Sequence, residues 1–230
     1  MSRDSAPCND TPGDRTPGDR TPLSLDELLE NSRVWRARSQ PRASQGLSSG
    51  YEQFDRHLPG GGWPRDALTE ILIEQYGIGE LQLLMPALAS LCVDESVAEP
   101  VEPGWIAWVA PPFQPYPPAL QKWGINLSRM LIVRPQSDSE VLWSAEQALS
   151  SGTCAAVLLW PQALDDQASR RLQLAAEKGS SWAIAFRPLT ARNEPSAAAL
   201  RIELSAGSQG TRLAILKSRG GSPAVLHDVV

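Results

Sequence analysis

Residues Thr69–Ala89 read TEILIEQYGIGELQLLMPALA. An apolar run (Ile71, Leu72, Ile73) leads into Gly77 and Gly79, and an apolar helical stretch follows. This is the layout of a strand, a glycine turn and a helix. A nucleotide-binding α/β fold places its phosphate loop, G-x-x-x-x-G-K-S/T, at such a point. There, backbone N–H groups wrap a phosphate, the Lys neutralises it and the hydroxyl holds Mg²⁺. Here the Lys and hydroxyl positions are Leu81 and Gln82, or Glu80 and Leu81, depending on the alignment. No cation is available, and a carboxylate at Glu80 repels a phosphate. Gly77, Gly79, Glu80, Leu81 and Gln82 therefore read as a degenerate phosphate loop. The frame of an ATPase without its chemistry points to a binding protein.

Outward from this stretch, short apolar runs alternate with helical patterns. Strands are expected at 69–74, 104–110, 130–134, 155–160 and 181–186, and helices at 79–92, 116–123, 138–150 and 166–178. That alternation predicts an α/β fold with a mostly parallel sheet flanked by helices on both faces. The strand at 69–74 is apolar on both sides and is expected at the centre. The helix at 138–150 places Val141, Leu142, Ala145, Ala148 and Leu149 on one face, and Gly152 stops it. LRIEL (200–204) and TRLAILKS (211–218) flank Gly207 and Gly210 and read as a C-terminal antiparallel hairpin. Residues 219–230 read as a loose C-terminal tail.

The N-terminal end differs. Residues 1–22 hold TPGDR twice in tandem and no large apolar cluster, so they read as a disordered tail. Residues 23–45 read as a helix and linker. Ser24 and Glu27 form a capping box, with Leu25, Leu28 and Leu29 on one face. RVWRARSQPR (Arg33–Arg42) sets four arginines around Trp35. One reading makes Leu25, Leu28, Leu29, Arg33, Trp35 and Arg36 a partner-binding element anchored by Trp35. The other packs the Leu/Trp face on the domain and leaves the arginines solvated.

Composition narrows the function classes. The net charge of −5 argues against a strongly basic nucleic-acid binder, so weak or no direct DNA binding is expected. Cys8, Cys92 and Cys154 are scattered, which suits neither a disulfide framework nor zinc and fits a reducing cytoplasm. No apolar run approaches the ~18–20 residues that cross a bilayer. His57 and His227 lie in no ligand or triad cluster. Asp165 and Asp166 read as helix-capping residues rather than a metal pair. No cofactor and no metal is expected.

Two aromatic features stand out. Trp105 and Trp108 lie three apart on one strand and so face opposite ways. APPFQPYPPAL (110–120) is either a recognition surface or a rigid crossover loop. From Arg187 onward six Lys/Arg face three acids, and Arg212, Lys217 and Arg219 are a possible DNA or subunit contact.

Three segments resemble RecA-type recombinase cores. SSGYEQFDRHLPGGGWPRDALTEIL (Ser48–Leu72) is similar to their opening segment, with Gly50, Asp55, Leu58, Gly61, Gly62, Pro64 and Glu70 at matching places. KWGINLSRMLIVRP (122–135) and RLAILKSRGGSPA (212–224) resemble a middle stretch and the closing strand, with its basic pair at Lys217 and Arg219. The ordered set also resembles the ImuA family of RecA-like, SulA-like accessory proteins of translesion DNA synthesis. The residues that carry this include SRVWR (32–36), LPGGGWP (58–64), GIGELQLLMPAL (77–88), APPFQPYPPAL (110–120), LWSAEQALSSGTCAAVLLWPQ (142–162) and NEPSAAALRIEL (193–204).

The resemblance implies a RecA-like domain over 46–218 that lacks ATPase motifs. Besides the loop, the metal-supporting Asp after 155–160 is replaced by Trp160-Pro161, and the catalytic Glu after 104–110 by Pro111-Pro112. Hydrolysis then has no route, and the chain reads as not an enzyme. The implied role is an adaptor in SOS-linked, error-prone synthesis. The implied partners are an ImuB-type Y-family pseudo-polymerase, an error-prone C-family polymerase and RecA. The alternative is SulA-like inhibition of cell division by binding FtsZ.

Overall fold

Along β5 (Trp182–Pro188), Trp182, Ile184 and Phe186 point to one face of the sheet, and Ala183 and Ala185 to the other. That alternation sets the two faces of the sheet. The structure, a computed structural model, describes residues 45–92, 104–207 and 210–229. The expected tail at 1–22 and the expected helix and linker, up to residue 44, lie outside the described residues.

Eight strands form one sheet in the order β3-β2-β4-β5-β1-β6-β7-β8. They are β1 (Leu68–Ile73), β2 (Trp105–Val109), β3 (Met130–Val133), β4 (Cys154–Leu159), β5, β6 (Leu200–Ala206), β7 (Thr211–Ser218) and β8 (Ala224–Leu226). Pairing is parallel from β3 through β6 and antiparallel from β6 to β8. Strand β1 lies between β5 and β6, and every one of its residues is buried. Its central placement follows from that: only an interior strand covered on both faces hides six successive side chains.

The two faces are built differently. On one, the alanines of β2 and β5 leave room for two long helices, α4 (Asp138–Ser150) and α5 (Asp166–Gly179). Val141, Ala145 and Leu149 of α4 and Leu172, Ala175 and Ala176 of α5 fill that layer. Gly179 lets the helix ends touch: a Cβ there would stand 1.8 Å from the Leu149 carbonyl oxygen. Asp165 caps α5 by accepting the Ala168 N–H at 2.7 Å. Gly152, at φ +73°, takes the left-handed turn that ends α4.

The other face carries the large side chains, and short pieces of chain suffice to cover it. These include α1 (Glu52–Asp55), α2 (Met85–Ser90) and α3 (Pro117–Lys122). Phe54 meets Trp63 edge-on at 4.8 Å, and Trp63 lies 5.2 Å from Trp182. Asp55 folds the turn before α1 by accepting the Ser49 N–H at 3.0 Å and the Ser48 hydroxyl at 2.8 Å.

Two expectations are corrected here. The helix expected over 79–92 is regular only over Met85–Ser90, after a run of turns. Pro86 is the cause: it has no N–H to give the Gln82 carbonyl, which accepts the Tyr51 hydroxyl at 3.3 Å instead. The tail expected over 219–230 is in part a strand. β8 pairs with β7, and Leu226 and Val229 are buried against the core.

Candidate functional site

Strand β1 delivers the chain into residues 74–79, where Gly77 and Gly79 sit at φ +86° and +102°. Those dihedrals turn successive N–H groups inward, the geometry of an anion-binding nest. The anion in the nest is Glu80. Its carboxylate accepts the Gly77 N–H at 2.9 and 3.0 Å and the Ile78 N–H at 3.0 Å. The side chain is only 6% exposed. Beyond the repulsion its charge exerts on a phosphate, the Glu80 carboxylate sits on the loop's own donors. Leu81 packs against the core and Gln82 points to solvent, so neither takes the place of a phosphate-loop lysine.

Next to this loop the carboxyl ends of β1 to β5 frame a cleft of about 600 Å³. Such ends are where parallel α/β sheets bind ligands. Trp160 and Phe186 form its inner part, with rings stacked 4.7 Å apart, and Trp108 lies 5.4 Å from Trp160. Trp160 occupies the place of the expected metal-supporting acid and is buried as core. Pro112, Pro135, Pro161 and Pro188 line the walls. Tyr76 lines the cleft and meets Phe113 edge-on at 5.8 Å. Phe113 is 67% exposed, so the aromatic part of the 110–120 stretch faces outward. Burial, then the Glu80 charge, pushes the Tyr76 phenol above its ordinary pKa. The acidic lining groups are Glu74, exposed, and Asp138, whose carboxylate accepts the Gln162 and Ala163 N–H groups at 3.1 and 3.2 Å. Ala110, in the lining, holds φ +55°, a strained conformation for a residue with a Cβ.

On the α4/α5 side of the sheet lies a polar cluster that the sequence did not announce. Glu70 on β1 is fully buried. It accepts Arg201 Nε at 2.8 Å, Arg187 Nη1 at 3.3 Å and the Ser196 hydroxyl at 2.5 Å. Arg187 also reaches Glu194 at 2.5 Å, and Arg201 donates to the carbonyls of Ala191, Arg192 and Glu194. The crossover between β5 and β6 is thus held down by charges rather than by an apolar helix face. The signal available in the sequence was an acid inside an apolar strand, matched by arginines at strand positions 187 and 201.

Arg212, Lys217 and Arg219 each meet a group of the same chain. Arg212 lies 3.6 Å from Glu203, which also pairs with Arg192 at 3.0 Å without a hydrogen bond. Lys217 donates to the Ser196 carbonyl at 2.8 Å, and Arg219 to Glu177 at 3.3 Å. Burial, with repulsion from Arg201 and Arg219, lowers the Lys217 pKa. These three do not join the cleft. Leu25, Leu28, Leu29, Arg33, Trp35 and Arg36 lie outside the described residues. Among the described residues, no cluster of His, Cys, Asp and Glu is placed to hold a metal ion, and no helix is long and apolar enough to cross a membrane.

Parts of this chain are similar to known proteins. A family profile described as cell division inhibitor SulA matches residues 69–183. Protein ImuA of Caulobacter vibrioides is 30% identical over 142 residues, covering 60% of this chain and 55% of that protein. The cell division inhibitor SulA of Photorhabdus laumondii is 31% identical over 103 residues, covering 45% of this chain and 58% of that protein. The crystal structure of SulA from Pseudomonas aeruginosa aligns at 26% identity and a TM-score of 0.41, covering 52% of this chain and 97% of that one. The chain spans about half the length of the curated relatives it matches. The match over 69–183 takes in the glycine loop, the parallel strands β1 to β4 and most of the cleft, and on it the chain belongs to the ImuA/SulA-like family.

Proposed function

We propose that this chain is a non-catalytic, RecA-like accessory protein of SOS-linked, error-prone translesion DNA synthesis, working in the cytoplasm. It acts as an adaptor for an ImuB-type Y-family pseudo-polymerase and an error-prone C-family polymerase, with RecA as a further contact. One observation carries the reading: Glu80 fills the nest where a nucleotide phosphate belongs. A RecA-like core whose phosphate loop is closed keeps its surfaces and loses its chemistry. The interior position of β1 and the antiparallel extension from β6 to β8 support the RecA-like frame. Similarity to ImuA over 142 residues supports the choice of pathway. In this reading the segment at 23–45 is the partner anchor, and the face bearing Arg212, Lys217 and Arg219 contacts DNA weakly or another subunit.

A second reading is SulA-like binding of FtsZ. It is favoured by the SulA profile over 69–183. A pulldown with the full chain from DNA-damaged cells, probed for the ImuB-type polymerase and for FtsZ, separates the two. Recovery of the ImuB-type polymerase is the expected result. Recovery of FtsZ alone would replace the first reading with the second.

A further inference from the structure

The cleft at the carboxyl ends of β1 to β5 has the wrong electrostatics for the ligand its position suggests. None of its lining residues is Lys, Arg or His, and two are the acids Glu74 and Asp138. Its four prolines have no N–H. The strongest nearby anion-binding donors, the N–H groups of Gly77 and Ile78, are already spent on Glu80. The side-chain donors left in the lining are neutral, the amides of Gln75, Gln136 and Gln162 and the hydroxyls of Ser137 and Tyr76, so its only formal charges are negative. Its accessible aromatic carbon is that of Tyr76, 45% exposed, while Trp160 behind it is buried against Phe186. Glu74 is exposed and has no ion-pair partner among the described residues. Asp138 is held in place by two backbone N–H groups, so its charge is fixed at the wall.

Carboxylates beside aromatic faces in a partly enclosed space select a cation. A guanidinium fits best, because its planar fork pairs with carboxylates and stacks on rings. We propose that this cleft binds an arginine side chain carried on a segment of a partner protein. The inference rests on the non-catalytic reading above, since a bound nucleotide would occupy the same cleft at the strand ends. Ala110, in its lining, holds a strained backbone, the mark of a site held in a set shape.

The test uses the full chain and three capped tripeptides, Pro-Arg-Pro, Pro-citrulline-Pro and Pro-Glu-Pro, with Mg-ATP as a fourth titrant. Binding is read by calorimetry and by tryptophan emission. The arginine peptide is expected to bind about tenfold or more tighter than its citrulline isostere, which keeps the shape and loses the charge. Glu74→Gln is expected to weaken the arginine peptide by about fivefold, the upper range for an exposed ion pair, with no change in melting temperature. Equal binding of the arginine and citrulline peptides, no arginine binding, or preference for the glutamate peptide would overturn the assignment. Mg-ATP binding would overturn the non-catalytic reading and this inference with it. Silence to both ATP and arginine would remove only the inference.

Discussion

Glu80 is a carboxylate gripped by two backbone N–H groups at a turn shaped for an anion. Hydrogen bonds to a charged group contribute about 1.5–3 kcal/mol each way of counting, and an orphaned donor adds its own desolvation cost. Glu80→Ala should therefore lower stability by about 2 kcal/mol, seen as an earlier urea midpoint with an unchanged slope. An unmoved midpoint would mean the nest does not depend on its anion. Glu70 is a more severe case, because Arg187 and Arg201 are both nearly buried beside it. Glu70→Ala leaves those charges uncompensated and should cost about 3–5 kcal/mol. Loss of less than 1 kcal/mol, roughly the value of a surface pair, would show that water reaches the cluster. Lys217 adds a pH signature. Its folded pKa is lowered, chiefly by burial, from the ordinary 10.5. Between the folded value and 10.5 the unfolded chain binds more protons, so stability rises with pH across that window. Comparing urea unfolding of the wild type and Lys217→Gln at neutral and alkaline pH isolates this rise, which should vanish in the variant.

At the scale of elements, the parallel strands were legible because each is a short apolar run bounded by turn residues. The strand and helix order followed from that, and so did the central place of β1. What could not be read was set by partners distant in sequence. The α2 stretch looked like a four-turn helix until Pro86 removed one hydrogen bond and Tyr51, from another segment, took over the freed carbonyl. β8 has three residues, too few to show an alternation, and its place depends on β7. The Glu70 cluster joins β1, β5 and β6, and no local spacing reveals it. Two consequences can be measured. Gly179→Ala should force apart the α4 and α5 ends, where the added Cβ would lie 1.8 Å from the Leu149 oxygen. Overpacking of this kind costs about 1–3 kcal/mol. Truncation after Ser218 removes the buried side chains of Leu226 and Val229, each contributing about 1.5–3 kcal/mol. A melting temperature unchanged by that truncation would restore the reading of 219–230 as a loose tail.

For the whole molecule, the candidate site was half legible. That no Lys follows the glycine turn, and that Pro111-Pro112 follow β2 and Trp160-Pro161 follow β4, was visible in the residues themselves. The self-closure by Glu80 and the acidic, proline-walled cleft needed the fold, since the cleft draws on the ends of five strands. The proposed partner anchor gives a prediction at this scale. Trp35→Ala should weaken binding of the ImuB-type pseudo-polymerase by about thirtyfold, the equivalent of ~2 kcal/mol at a hot spot, with little change in melting temperature. A stability loss without a binding loss would remove the anchor. The account as a whole turns on nucleotide, and thermal unfolding with Mg-ATP tests it most directly. A ligand at about 100 times its Kd stabilises the folded state by about 2.7 kcal/mol. The account predicts no shift at any nucleotide concentration, whereas a clear shift that disappears when Gly77 or Gly79 is replaced would contradict it.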